Sequence, residues 1–111
     1  MIPHELLRGC LKTLLLQILL IEGPMHGYAL VNRLEIISNG RIKVPPGSIY
    51  PVLHKLEKEK ILVNSTSLND NRTRIYYALT LKGKSFAKKK INEMNEFIEC
   101  IQLIMNIKSS N

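Results

Sequence analysis

Between Glu5 and Glu22 apolar side chains recur every three or four residues, at Leu7, Leu11, Leu14, Leu15 and Ile18. That is the spacing of one face of an α-helix. Leu16, Leu19, Leu20 and Ile21 widen the stripe almost to the full circumference. A helix apolar on nearly every side has to be covered on more than one, which predicts packing against its own domain and against a second subunit. Gly23-Pro24 ends it. A second helix is predicted from about His26 to Ser38, with Leu30, Leu34 and Ile37 on one face, and Asn39-Gly40 supplies the left-handed stop that closes a helix. A short basic linker, Arg41-Ile42-Lys43-Val44, leads to Pro45-Pro46, which opens a third helix running to about Lys60.

The period then changes. Leu62–Ser67 and Arg74–Thr80 are rich in β-branched, aromatic and aliphatic residues, and the polar stretch from Leu68 to Thr73 separates them. This is a β-hairpin with a polar tip. Tyr77 and Leu79 of the return strand should face the core, with Arg74, Tyr76 and Ala78 toward the surface. Thr80 is placed to cap a last helix from Leu81 to about Ile107, and residues 108–111 are expected to form a disordered tail. Three helices followed by a hairpin is the order of a winged helix-turn-helix. The expected fold is therefore mainly α with a small β-hairpin. A winged unit would occupy residues 1–80 and a C-terminal dimerisation helix residues 81–107.

In the last helix Ala87, Ile91, Met94, Ile98, Ile101 and Met105 repeat at alternating spacings of four and three, and Phe97 and Ile104 widen the seam. Such a heptad stripe calls for a helical partner. Either it folds back on the chain's own first helix, or it also meets the first helix of a second copy through Leu7, Leu11 and Leu14. The second arrangement is the expectation.

The third helix carries the candidate chemistry. At roughly 100° per residue, Ile49, Val52, Leu53 and Leu56 fall on one side and Gly47, Pro51, His54, Lys55 and Lys58 on the other. Small residues let a backbone approach a groove, cations meet phosphates, and Ser48, Tyr50 and His54 can donate to phosphates or base edges. Pro51 should bend the helix slightly by withholding one backbone donor. Taken alone, this helix could equally be an ordinary amphipathic one with a solvated outer face. The hairpin adds Arg72 and Arg74 beside Asn71 and Thr73, placed as a wing that sets arginine against a minor groove or a phosphate.

Charge strengthens that picture. The 111-residue chain has a formal net charge of +7, yet its first forty residues balance Arg8, Lys12 and Arg33 against Glu5, Glu22 and Glu35. The whole excess lies later, in the linker, third helix, wing and the lysines from Lys82 to Lys90. An anionic partner such as duplex DNA is implied, and Lys43 of the linker joins the candidate contacts. Lys82, Lys84, Lys88, Lys89 and Lys90 oppose the dipole of their helix, so they either reach flanking phosphates or form a solvated face.

Enzymatic chemistry has no support. The three histidines, His4, His26 and His54, are scattered without metal-ligand spacing, and no glycine-rich phosphate loop occurs. No cofactor is expected. Cys10 and Cys100, without CxxC spacing, fit free thiols in a cytoplasmic protein; a thiol sensor is the alternative reading. No signal peptide is recognisable, and the apolar run from Leu14 to Ile21 is too short to span a bilayer. The rival readings are a winged-helix module that binds protein instead of DNA, and a peripheral membrane protein that exposes its last helix.

Three segments carry a family resemblance. They are Gly23-Pro24-Met25-His26-Gly27-Tyr28; Pro46-Gly47-Ser48-Ile49-Tyr50-Pro51-Val52-Leu53 with Leu56-Glu57; and Arg74-Ile75-Tyr76-Tyr77-Ala78-Leu79-Thr80 with Gly83. In order and spacing they resemble the PadR-like transcriptional regulators across about residues 6–85. The resemblance implies a homodimeric repressor on an inverted-repeat operator, with the third helix in the major groove and the wing near the minor groove. It implies Tyr28, Ser48, Tyr50 and the basic wing residues as DNA contacts, while His26 and Gly27 shape the start of the second helix. Two departures stand out. Pro45 replaces a comfortable Ser or Thr cap, and the chain has no tryptophan, which removes the ring that drug-binding relatives use in their dimer pore. A small-molecule effector of unknown identity remains open.

Overall fold

The computed structural model describes residues 1–69 and 71–110. Asp70 of the expected wing tip and Asn111 of the expected tail lie outside the described residues. At the N-terminus the single long helix expected from the leucine pattern is two, α1 (His4–Arg8) and α2 (Leu11–Glu22), separated at Gly9-Cys10. Glycine costs a helix interior about 1 kcal/mol relative to alanine, and the break turns Leu7 into the core independently of α2. From α2, Leu15, Leu16, Ile18 and Leu19 are buried, while Ile21 stays exposed.

Gly23, at φ 87°, releases the chain into β1 (Met25–His26), a two-residue strand that the sequence pattern does not announce. It leads into α3 (Gly27–Ile37), whose start is capped by the His26 side chain: Nδ1 accepts from the Ala29 N–H at 3.1 Å. The buried face of α3 is Leu30, Val31 and Leu34; Ile37, expected on that face, is exposed because the helix ends there. Asn39 (φ 56°) and Gly40 (φ 78°) form the predicted left-handed stop, with the Gly40 N–H donating to the Glu35 carbonyl at 2.7 Å. Arg33 reaches Glu22 with two bonds of 2.8 Å and ties α3 to the end of α2.

The expected third helix divides into a single 3₁₀ turn (Pro46–Ser48) and α4 (Tyr50–Lys58). Pro51 therefore stands in the first turn of α4, where backbone N–H groups have no intrahelical acceptor, so its missing donor breaks no bond within the helix. The exit of α4 runs through Lys60 at φ 66°, and the Ile61 N–H donates back to the Leu56 carbonyl at 2.9 Å.

Strands β2 (Leu62–Asn69) and β3 (Arg72–Leu79) pair antiparallel from Leu62↔Leu79 to Asn69↔Arg72, and β1 adds to the other edge of β3, giving the order β1-β3-β2. Both wing strands are longer than the sequence pattern indicates, so Arg72 and Thr73 are ladder residues and not loop residues. Tyr77 is buried and Leu79 packs against the core, as the alternation predicts. Tyr76 is half-covered instead of solvated, since β1 places the His26 ring edge-on to it at 5.4 Å.

Thr80 caps α5 (Leu81–Met105), accepting from the Gly83 N–H at 2.9 Å and donating to the Lys60 carbonyl at 2.6 Å. One hydroxyl thus joins the exit of α4 to the start of α5. The N-terminal half of α5 lies on α2: Ala87 is fully buried, and Phe86 and Ile91 pack against the same core. Most of the helix beyond Met94 is exposed, and with it the molecule extends 65 Å along its longest axis. The helix ends at Met105 and not at Ile107, with the Asn106 side chain donating to the Gln102 carbonyl at 2.6 Å.

Candidate nucleic-acid interface

The core fixes how α4 is presented. Ile49, Leu53 and Leu56 are buried to within 1% exposure, and Val52 is half-buried. Seating these side chains turns Ser48, Tyr50, Pro51, His54, Lys55 and Lys58 outward, and all six are exposed. The Tyr50 and His54 rings lie 6.1 Å apart along this face. The Ser48 hydroxyl donates to the Pro45 carbonyl at 2.7 Å, closing the turn that precedes the helix in place of the missing cap.

Three elements meet at Tyr50. Tyr28 of α3, Tyr50 of α4, and Thr73 and Arg74 of β3 line one depression of about 210 Å³, together with His26 and Gly27. The approach depends on Gly27, whose missing side chain leaves room for the Tyr50 phenol. Arg74 also acts on His26: burial, then the neighbouring guanidinium, holds the imidazole pKa below its ordinary value. Both effects favour the neutral imidazole, the state in which Nδ1 can accept the capping bond. Its role at the helix start agrees with the sequence reading, whereas the closeness of Gly27 to Tyr50 had no sequence signal, because the two are distant along the chain.

The remaining candidates are more dispersed. Asn71, at φ 62°, and Arg72 are exposed at the far end of the wing. Lys58 closes the C-terminal end of the α4 face. Lys43 lies off it, 3.7 Å from the Glu35 carboxylate, so part of its charge is already answered within the chain. Two of the α5 lysines are also engaged: Lys82 donates to the Glu59 carbonyl at 3.0 Å, and Lys90 sits 3.3 Å from Glu93 and over the Phe86 ring. Lys84, Lys88 and Lys89 are exposed.

The expected dimer seam splits in two. Leu7 and Ala87, at 6% and 0% exposure, are inside the chain's own core. Leu11, Leu14 and Ile91 are half-covered by that core, and Met94 is half-buried at its edge. Phe97, Ile98, Ile101 and Met105 are exposed, as are Leu103 and Ile104. The spacing of this seam is unbroken, but the body of the protein ends midway along it. Cys10 is half-buried and Cys100 exposed, both as free thiols. Among the described residues no His, Cys, Asp or Glu cluster could hold a metal ion, and no helix is long and apolar enough to cross a membrane.

A helical body of α1, α2 and α3, a β-hairpin wing and the outward-facing α4 with its cationic end define a winged helix-turn-helix protein. The sequence model of the Transcriptional regulator PadR-like family matches residues 15–89, and the chain belongs to that family. It is accordingly a transcriptional regulator and not an enzyme. The chain is 34% identical over 64 residues to the transcriptional regulator Rv3488 of Mycobacterium tuberculosis, covering 58% of this chain and 57% of that protein. A transcriptional regulator from Clostridium thermocellum shares the fold at 25% identity and a TM-score of 0.77, over 97% of this chain and all of that one. Bacillus subtilis PadR, solved in complex with operator DNA, is similar at 26% identity and a TM-score of 0.64 over 73% of this chain and 46% of that one.

Proposed function

We infer that this regulator binds double-stranded DNA as a homodimer and represses transcription from an inverted-repeat operator in the cytoplasm. The observation that carries the reading is the convergence of Tyr28, Tyr50, Thr73 and Arg74 from three elements beside the exposed face of α4. In this reading α4 enters the major groove, where Ser48, Tyr50, Pro51 and His54 approach the base edges. Lys43, Lys55 and Lys58 neutralise phosphates. The wing follows the adjacent backbone, with Asn71, Arg72 and Thr73 near the minor groove and Arg74 nearer α4. The net charge of +7 favours the same partner, and an α4 that exposes Lys55 and Lys58 while its one carboxylate, Glu57, is half-buried suits DNA better than a protein partner.

The exposed apolar half of α5 supports the dimer. Phe97 and Met105, at 58% and 76% exposure, belong to a stripe too large to leave in water. Pairing the stripe with a second copy buries it and sets the two α4 helices at a fixed separation, about 34–36 Å for half-sites one helical turn apart. The test combines selection of genomic fragments by the purified protein with light scattering of the free and DNA-bound forms. The expected result is a palindromic consensus bound by two chains. A single chain that binds all duplexes alike contradicts the reading.

A further inference from the structure

Next to the α4 face, a groove of about 490 Å³ lies between α1, the start of α2, Val44 and α4. Its floor is aliphatic, built from Leu7, Leu11, Val44, Val52 and Leu56. No Phe, Tyr or Trp lines it, and the one ring among its lining residues is the His4 imidazole, so its apolar floor is aliphatic and not aromatic. Its rim carries Arg8, Lys12 and Lys55, and no carboxylate is among its lining residues. None of these three cations belongs to an ion pair among the described residues. The Lys12 ammonium rests 5.9 Å from the centre of the Phe86 ring, which leaves Arg8 of α1 and Lys55 of α4 as one unanswered charge from each wall.

The size falls in the range of small-molecule sites, roughly 300–1,000 Å³. Apolar surface between two cations attracts a molecule that covers the first and neutralises the second. We propose that the groove binds a free medium-chain fatty acid, its alkyl chain against Leu11 and Val52 and its carboxylate between Arg8 and Lys55. Ser48, Pro51 and Lys55 line this groove and also belong to the α4 face, so an occupant competes with DNA. That competition rests on the DNA-binding reading above; the binding of the acid does not.

Calorimetric titration of the full chain with sodium decanoate below its micelle concentration, without DNA, tests the site. Saturable binding of one decanoate per chain is expected, with decanol and decyltrimethylammonium weaker by about tenfold or more, since each lacks the charge-assisted bonds. Arg8→Gln, at an exposed position, should weaken decanoate about tenfold with an unchanged melting temperature. Val52→Phe should fill the groove and abolish binding. Should that variant not fold, Arg8→Gln and Lys55→Gln still decide the matter. Decanoate affinity equal to that of decanol, or unaffected by both glutamine variants, overturns the proposal. So does tighter binding of 3-phenylpropanoate, or association with phosphatidylglycerol vesicles alone.

A second titration, with a selected DNA fragment, should show affinity falling as decanoate saturates. Saturation by decanoate with DNA affinity unchanged overturns the competition and leaves the groove assigned. Failure of the wild type to bind any duplex overturns the functional reading, while the calorimetry stands by itself.

Discussion

Tyr50 of α4 lies across Gly27 at the start of α3, so closely that a Cβ on Gly27 would meet the phenol oxygen at 2.8 Å. The atoms in the way are the far end of a side chain that can swing aside. Gly27→Ala should therefore cost little stability but push Tyr50 out of the depression it shares with Tyr28 and Arg74. DNA affinity should drop about as far as in Tyr50→Ala, on the order of tenfold for one lost charge-assisted contact. The double variant should be no worse than either single one, as expected for residues that act through one another. Binding titrations on all three variants check this; additive losses count against it.

Gly83 presents the opposite case. A Cβ there would run into the backbone carbonyl of Ile61, which cannot rotate away. Gly83→Ala should lift the start of α5 from the exit of α4 and strain the Thr80 cap. A loss of about 3 kcal/mol or more is expected from such overpacking against backbone. Gly9→Ala, with open space around it, serves as the control, and urea unfolding of both variants is the measurement.

His26 makes stability depend on pH. Its Nδ1 accepts the Ala29 N–H only while neutral, and burial followed by Arg74 lowers its pKa below the unfolded value of 6.5. A base with a depressed folded pKa contributes stability that is present above the unfolded value and lost as pH falls through the folded one. The melting temperature of the wild type should therefore decline more steeply below about pH 6.5 than that of His26→Asn, in which a good N-cap replaces the titratable one. Parallel slopes for the two proteins would remove His26 as the cause.

For the proposed DNA contacts, Lys55→Ala and Arg72→Ala should each weaken binding with no change in melting temperature, since both side chains are exposed. If each meets one phosphate, the slope of log affinity against log salt should shrink by about 0.9 per variant. Lys43→Ala should have a smaller effect, because Glu35 already shares that charge.

Ile101→Glu probes assembly. The side chain lies on the exposed half of α5, so the fold of the single chain should survive while a paired apolar seam acquires a buried charge. Light scattering should give a monomer, and DNA affinity should fall with loss of the second half-site. An unchanged dimer would place the interface elsewhere.

Local periodicity was enough to place the three helices, the hairpin and the long last helix, because each element's buried face is written at its own repeat. The stops at Gly23, Asn39-Gly40 and Thr80 were equally readable, since they depend on backbone conformation and on caps within three residues. The break at Gly9 was not, because a glycine inside an apolar run is compatible with either a continuous or a divided helix.

The amino-acid order alone determined the element types, the outward face of α4 and the segregation of positive charge. Tertiary structure decided the rest: that Leu7 and Ala87 belong to the chain's own core, that Met25–His26 join the sheet, and that Gly27 makes room for Tyr50. A heptad repeat states only that apolar side chains share a line along a helix. Which part of that line the same chain covers depends on where α2 and the body end, and this is fixed by contacts between residues far apart in sequence.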